Sequence, residues 1–151
     1  MKNLVKFSTL MLVAALIFAG CKKDEPKENL AAAIEGTYTG EITMAGTSVV
    51  PVAHLTMTRT ANDQVTISMN ETIETSFGAL PLDVSCPATV TKSDNNYKVD
   101  GKTKISLPSP LGEQDVVISG IITEEGAADL DINATLATVK FTGSRVVQVI
   151  N

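Results

Sequence analysis

From Gly36 onward apolar and polar residues alternate with a period of two, and that rhythm confines the chain to β-sheet. Tyr38, Gly40, Ile42 and Met44 share one parity of a first strand. Ala53, Leu55 and Met57 mark a second, and Val65, Ile67 and Met69 a third. A fourth covers about Val84 to Thr91. Tyr97, Val99, Ile105 and Leu107 mark a fifth, and Val116, Ile118 and Ile122 a sixth. Leu130 and Ile132 belong to a seventh, and Val139 and Phe141 to an eighth. Turn residues separate these runs, and no helical period of comparable length appears. Eight strands on short loops fit an all-β, antiparallel, eight-stranded up-and-down barrel, with a two-sheet β-sandwich as the alternative. Pro87 falls in the middle of the fourth pattern and cannot donate to a ladder, so a bulge or a gap is expected there. Pro51 poses a smaller problem near the second strand. A partly open barrel follows.

The N-terminus carries a different signal. Lys2 and Lys6 precede an apolar run from Leu10 to Phe18, too short to span a bilayer, and Ala19 and Gly20 lead into Cys21. This resembles a bacterial lipoprotein signal, with Phe18-Ala19-Gly20-Cys21 as the lipobox and Cys21 as the lipidated residue. The expected organisation is a signal peptide over 1–20, a lipidated cysteine and flexible charged tether over 21–33, and a barrel domain over 34–151. Cleavage removes two of the twelve basic residues and none of the seventeen acidic ones, leaving a net charge of −7. So acidic a chain is a poor partner for nucleic acid. It has no polybasic patch for anionic lipid, so membrane attachment would rest on acyl chains at Cys21. The expected location is the bacterial cell envelope, lipid-anchored at the outer membrane. Lys23-Asp24-Glu25 resembles the surface-export signals of one group of Gram-negative bacteria, and a plain spacer fits equally well.

Gly36-Thr37-Tyr38-Thr39-Gly40 opens the strand set and Phe141-Thr142-Gly143-Ser144-Arg145 closes it. These ends resemble the calycin-like (lipocalin-like) domain of small bacterial lipoproteins of Gram-negative bacteria, a family of uncharacterised function, over roughly Ile34 to Val146. The resemblance implies that Tyr38 takes the place of a first-strand Trp, and that Arg145 is a late Arg packing on or near it to close one barrel end. The chain has no Trp, which departs from lipocalins proper.

Chemical motifs fail on inspection. Gly101-Lys102-Thr103 lies in a strand pattern rather than at a strand-to-helix turn, so it is no phosphate loop. Asp129, Asp131 and Asn133 mimic a calcium loop, but Ala134 and Lys140 replace its glycine and bidentate Glu. The single histidine, His54, alternates with apolar residues and should face solvent, with no Gly-x-Ser-x-Gly elbow to partner it. Cys86 shares a parity with Val84, Ala88 and Val90 and should be buried. No catalytic residue, metal site or cofactor is expected, and no enzyme. Glu71 extends the inward parity of Val65, Ile67 and Met69, so it is a polar anchor for a ligand, is turned outward by a bulge near Asn70, or lies at a strand end already in solvent. Met57 and Met69, with Met44, are candidates for an adaptable lining. The apolar loop Phe77-Gly78-Ala79-Leu80-Pro81-Leu82 reads as a lid or a contact patch. Two functions remain. One is a non-catalytic binding module for a small apolar ligand. The other is an interaction or accessory protein with a filled barrel, acting on an envelope partner through its loops and outer face.

Overall fold

The computed structural model describes residues 27–75 and 78–147; the signal segment, Cys21 and Phe77 lie outside the described residues. A short helix α1 (Leu30–Ile34) precedes eight strands: β1 (Gly36–Met44), β2 (Thr47–Ala61), β3 (Gln64–Thr75), β4 (Gly78–Ser93), β5 (Asn96–Leu107), β6 (Gly112–Thr123), β7 (Ala127–Ala134) and β8 (Thr138–Arg145). Each strand pairs antiparallel with the next, and β1 pairs with β8 from Tyr38↔Arg145 to Met44↔Val139. The ring is a closed up-and-down barrel, which removes both the sandwich and the partly open barrel.

The alternation is what makes it a barrel. Val84, Cys86, Ala88 and Val90 of β4 are buried, while Asp83, Ser85, Pro87 and Thr89 between them are exposed. Inside, Tyr38, Leu55, Ile67, Ile118, Leu130 and Phe141 are fully buried. Outside, β5 presents Lys98, Asp100, Lys102 and Lys104 to water. An apolar interior under a charged wall reverses the pattern of a membrane-spanning barrel, whose apolar band faces lipid.

The seam between β1 and β8 depends on two small residues. Gly40 stands opposite Gly143, and a Cβ at Gly40 would lie 2.1 Å from the Thr142 carbonyl oxygen and 2.5 Å from the Gly143 Cα. No side chain fits there without parting the strands.

Both prolines behave differently from expectation. The β3–β4 register runs unbroken through Thr66↔Pro87, without a bulge. Val90 N–H donates to the Asp63 carbonyl on the β3 side (2.8 Å), while the Ser85 carbonyl accepts the Thr103 hydroxyl on the β5 side (3.0 Å). Strict alternation then turns the backbone groups of odd-numbered β4 residues toward β5. The β4–β5 ladder reaches Ala88↔Gly101 and ends there among the described residues. The missing N–H of Pro87 thus faces the first position beyond the ladder, and the wall stays closed around it. Pro51 lies inside β2, which begins earlier than the sequence suggests. It occupies an irregularity where the β1 partners jump from Gly40↔Ala53 to Ile42↔Val50.

The folded unit also reaches back beyond Ile34. Ala31 and Ile34 of α1 are fully buried against the barrel, so Leu30–Ala33 belong to the domain rather than to a flexible tether. The cause is the apolar Leu-Ala-Ala-Ala-Ile run, which covers the barrel end at which β1 begins.

Replacing Gly40 with Ala should lower stability by about 1–3 kcal/mol, the usual cost of overpacking. Thermal or urea unfolding monitored by circular dichroism checks this; an unchanged midpoint would show that the seam is not tightly closed.

Candidate functional site: the barrel mouth

The two barrel ends differ. At the end where β1 starts, α1 forms a plug. The Tyr38 hydroxyl donates to the Ile34 carbonyl (2.7 Å), and the Arg145 guanidinium donates to the neighbouring Ala33 carbonyl (2.7 Å). These bonds satisfy carbonyls that a helix end leaves without intrahelical partners. Burial pushes the Tyr38 phenol up to about 12, with the nearby Arg145 charge acting in the opposite direction. Asn29 accepts from Ala32 N–H at the helix start, and Ala31 N–H donates to the Asn62 carbonyl of the β2–β3 turn.

The opposite end is a mouth. A cavity of about 90 Å³, partly open to solvent, lies between Met44, Ile73, Leu82, Ile105, Ile132 and Val139. Its lining is apolar except for Thr75, whose hydroxyl donates to the Gly78 carbonyl (2.8 Å). For scale, an apolar cavity of ~150 Å³ admits benzene. The enclosed part of this mouth therefore has room for the end of a chain rather than for a ring system.

One wall of the mouth is a projecting hairpin. β3 and β4 pair continuously from Gln64↔Thr89 to Thr75↔Gly78. The β2–β3 ladder ends at Leu55↔Met69, and the β4–β5 ladder ends at Ala88↔Gly101. Beyond those points the hairpin stands without a laddered neighbour on either side among the described residues. Ile73 and Leu82 fold inward from it and are buried. The segment Gly78–Leu82, expected as a loop, is therefore strand, and its apolar residues help to cover the mouth.

Glu71 sits where β2 and β3 separate. No bulge turns it outward, because the β3–β4 register is unbroken through Asn70↔Asp83 and Glu71↔Leu82. Its side chain is 17% exposed and its Oε1 accepts the His54 backbone N–H at 2.6 Å, with His54 Nδ1 at 3.7 Å. The carboxylate occupies the place of a missing ladder bond. Sequence parity located it; nothing local indicated the partner, which lies just past the end of the β2–β3 ladder at Leu55↔Met69.

The other sequence candidates fall elsewhere. Met44 lines the mouth, whereas Met57 and Met69 are buried in the filled core, Met57 beside Gly36 near the plugged end. Tyr38 and Arg145 stand opposite each other across the β1–β8 seam, and each reaches a carbonyl of α1. The imidazole of His54 is largely exposed. Cys86 is a buried free thiol, pushed up to about 11 by burial. Asp129 pairs with Lys140 (2.9 Å), and Asn133 accepts the Thr138 hydroxyl, both on the outer wall. Among the described residues no group of three His, Cys, Asp or Glu is placed to hold a metal.

No known protein family matches the chain, and no curated protein does. Solved structures do. A redesigned β-barrel bound to DFHBI superimposes with a TM-score of 0.52 at 18% identity, covering 78% of this chain and all of that one. A second redesigned β-barrel matches with a TM-score of 0.51 at 14% identity, covering 82% of this chain and all of its own. The "putative outer membrane protein" of Bacteroides fragilis NCTC 9343 matches with a TM-score of 0.51 at 15% identity, over 78% of this chain and 53% of that chain. At these identities the likeness is one of fold: an eight-stranded antiparallel barrel.

Replacing Glu71 with Ala should remove the acceptor of the His54 amide and cost about 1 kcal/mol, while Gln, which keeps an acceptor, should cost less. Hydrogen exchange of the His54 amide should quicken in Glu71→Ala while Val65–Ile67 stay protected. Equal protection of His54 in both proteins would remove Glu71 from that role.

Proposed function

We propose that this protein is a non-catalytic, envelope-anchored binding module that holds the end of a small apolar ligand in its barrel mouth. The observation that carries the reading is the apolar mouth cavity of about 90 Å³, beside a hairpin that lacks laddered neighbours. Ligand sites are characteristically concave and mostly apolar, and the mouth of a β-barrel is a recurrent place for them. The rest of the interior is occupied by its own side chains, so the ligand is gripped at one end rather than swallowed. The redesigned barrel bound to DFHBI supports the premise that a fold of this kind carries a small molecule.

Anchoring rests on Cys21 and the signal that precedes it. The charged outer wall supports attachment by acyl chains rather than by insertion of the barrel. The likeness to the Bacteroides protein is in keeping with an outer-membrane location.

Native mass spectrometry of the domain purified from its own host should show a retained small apolar molecule. Ala134→Phe, which fills the mouth, should abolish retention with little loss of stability. Retention unchanged by that substitution would move the site away from the mouth, and an empty wild-type barrel would favour action through loops and outer face. Cys21→Ser should release the protein from the membrane to the soluble fraction on cell fractionation; continued sedimentation with membranes would refute the lipid anchor.

A further inference from the structure

The mouth is distinguished by what surrounds it. Four connections meet there, their described residues being Ala45–Ser48, Thr75 with Gly78–Leu82, Ile105–Gly112 and Ile132–Val139. These stretches, distant from one another in the chain, contain no Asp, Glu, Lys or Arg. The other end of the barrel is charged, with Glu28, Glu35, Asp63, Asp94, Glu124 and Glu125 on or beside its turns.

Moving from the rim along the strands, the first charges form a belt. They are Glu41 on β1, Glu74 on β3, Asp83 on β4, Lys104 on β5, Glu113 on β6, Asp131 on β7 and Lys140 on β8. β2 carries none before Arg59. Five of these seven are acidic. Both lysines are engaged, Lys104 with Glu113 (2.6 Å) and Lys140 with Asp129 (2.9 Å). Glu71 adds a further, half-buried carboxylate. A bound molecule therefore meets apolar side chains in the cavity, an uncharged rim, and then a belt of negative sign.

Resting on the ligand-binding reading above, we infer that the mouth selects an uncharged aliphatic chain and rejects the same chain bearing a carboxylate. The cavity is too small to enclose a polar head together with its chain, so the head stays at the rim. A carboxylate there loses part of its hydration without gaining a cation, and the belt repels it over distances comparable to the ~8 Å screening length at physiological salt. An alcohol or ester head at the same place keeps its hydrogen bonds to water.

The test compares decan-1-ol with decanoate at pH 7.5, on the chain from residue 21 onward carrying Cys21→Ser, which retains every residue of the barrel. Binding is followed by the methyl NMR signals of Ile73, Leu82 and Ile132. Decan-1-ol should bind at least about tenfold more tightly than decanoate, a difference of about 1.4 kcal/mol. Glu74→Lys, on the exposed outer face beside the rim, should raise decanoate affinity several-fold and leave decan-1-ol unchanged. Decanoate binding as tightly as the alcohol would overturn the selectivity while leaving ligand binding intact. Decanoate affinity unmoved by Glu74→Lys would overturn the belt as its source. If neither compound binds, the ligand-binding reading falls and the selectivity with it.

Discussion

Two side-chain hydrogen bonds decide which end of this barrel is open. Tyr38 and Arg145 stand on the first and last strands and reach consecutive carbonyls of α1, Ile34 and Ala33. One contact therefore joins the helix to both strands of the closing seam. Arg145 is held on its other side by Gly126, whose carbonyl accepts the Arg145 backbone N–H and whose missing Cβ leaves room for its side chain. Gly126 has φ 87°, a conformation that favours glycine, so the β6–β7 turn and the arginine fit each other. With α1 fixed as a plug, access to the interior is left to the other end.

At that end the sheet is least constrained. The β3–β4 hairpin outruns its neighbours on both sides, and each gap is handled by a different device. On the β2 side the Glu71 carboxylate substitutes for backbone pairing by accepting the His54 amide. On the β5 side Pro81 and Pro87 both remove donors from the exposed edge, and the Thr103 hydroxyl takes up the Ser85 carbonyl. Proline on an unpaired edge discourages pairing with another chain. A hairpin tied by a few side-chain bonds rather than two ladders opens at lower cost than the barrel wall. That places the readily deformed part of the molecule beside its cavity.

The barrel itself was legible in the chain because a period of two, repeated eight times, leaves few other ways to bury one face. Burial of Cys86 and exposure of His54 followed from the same parity. What the sequence concealed has physical causes. Pro87 read as a breaker because a one-dimensional pattern does not reveal which edge a residue's N–H would face; here it faces an edge without a ladder. Gly78–Leu82 read as a loop for the same reason. Leu30–Ala33 read as tether because four residues are too few to display a helical period, and their burial comes from the barrel rather than from the helix. The mouth was hidden most completely, since its uncharged rim is assembled from four connections that no local window contains.

The polarity of the barrel also fixes a direction. The chain enters at the plugged end, where Glu28 pairs with Lys92 at 2.8 Å just before α1. Lys27 is the first described residue, and Cys21 precedes it by six positions, a length that extends at most about 20 Å. With the proposed anchor at Cys21, the plugged and charged end stays near the bilayer and the mouth points away from it. A ligand drawn straight from the anchoring leaflet would have to reach the far end of the barrel. The mouth is better placed to meet molecules arriving from the aqueous side or from an opposing surface. The uncharged rim and the deformable hairpin then stand together at the end most distant from the lipid.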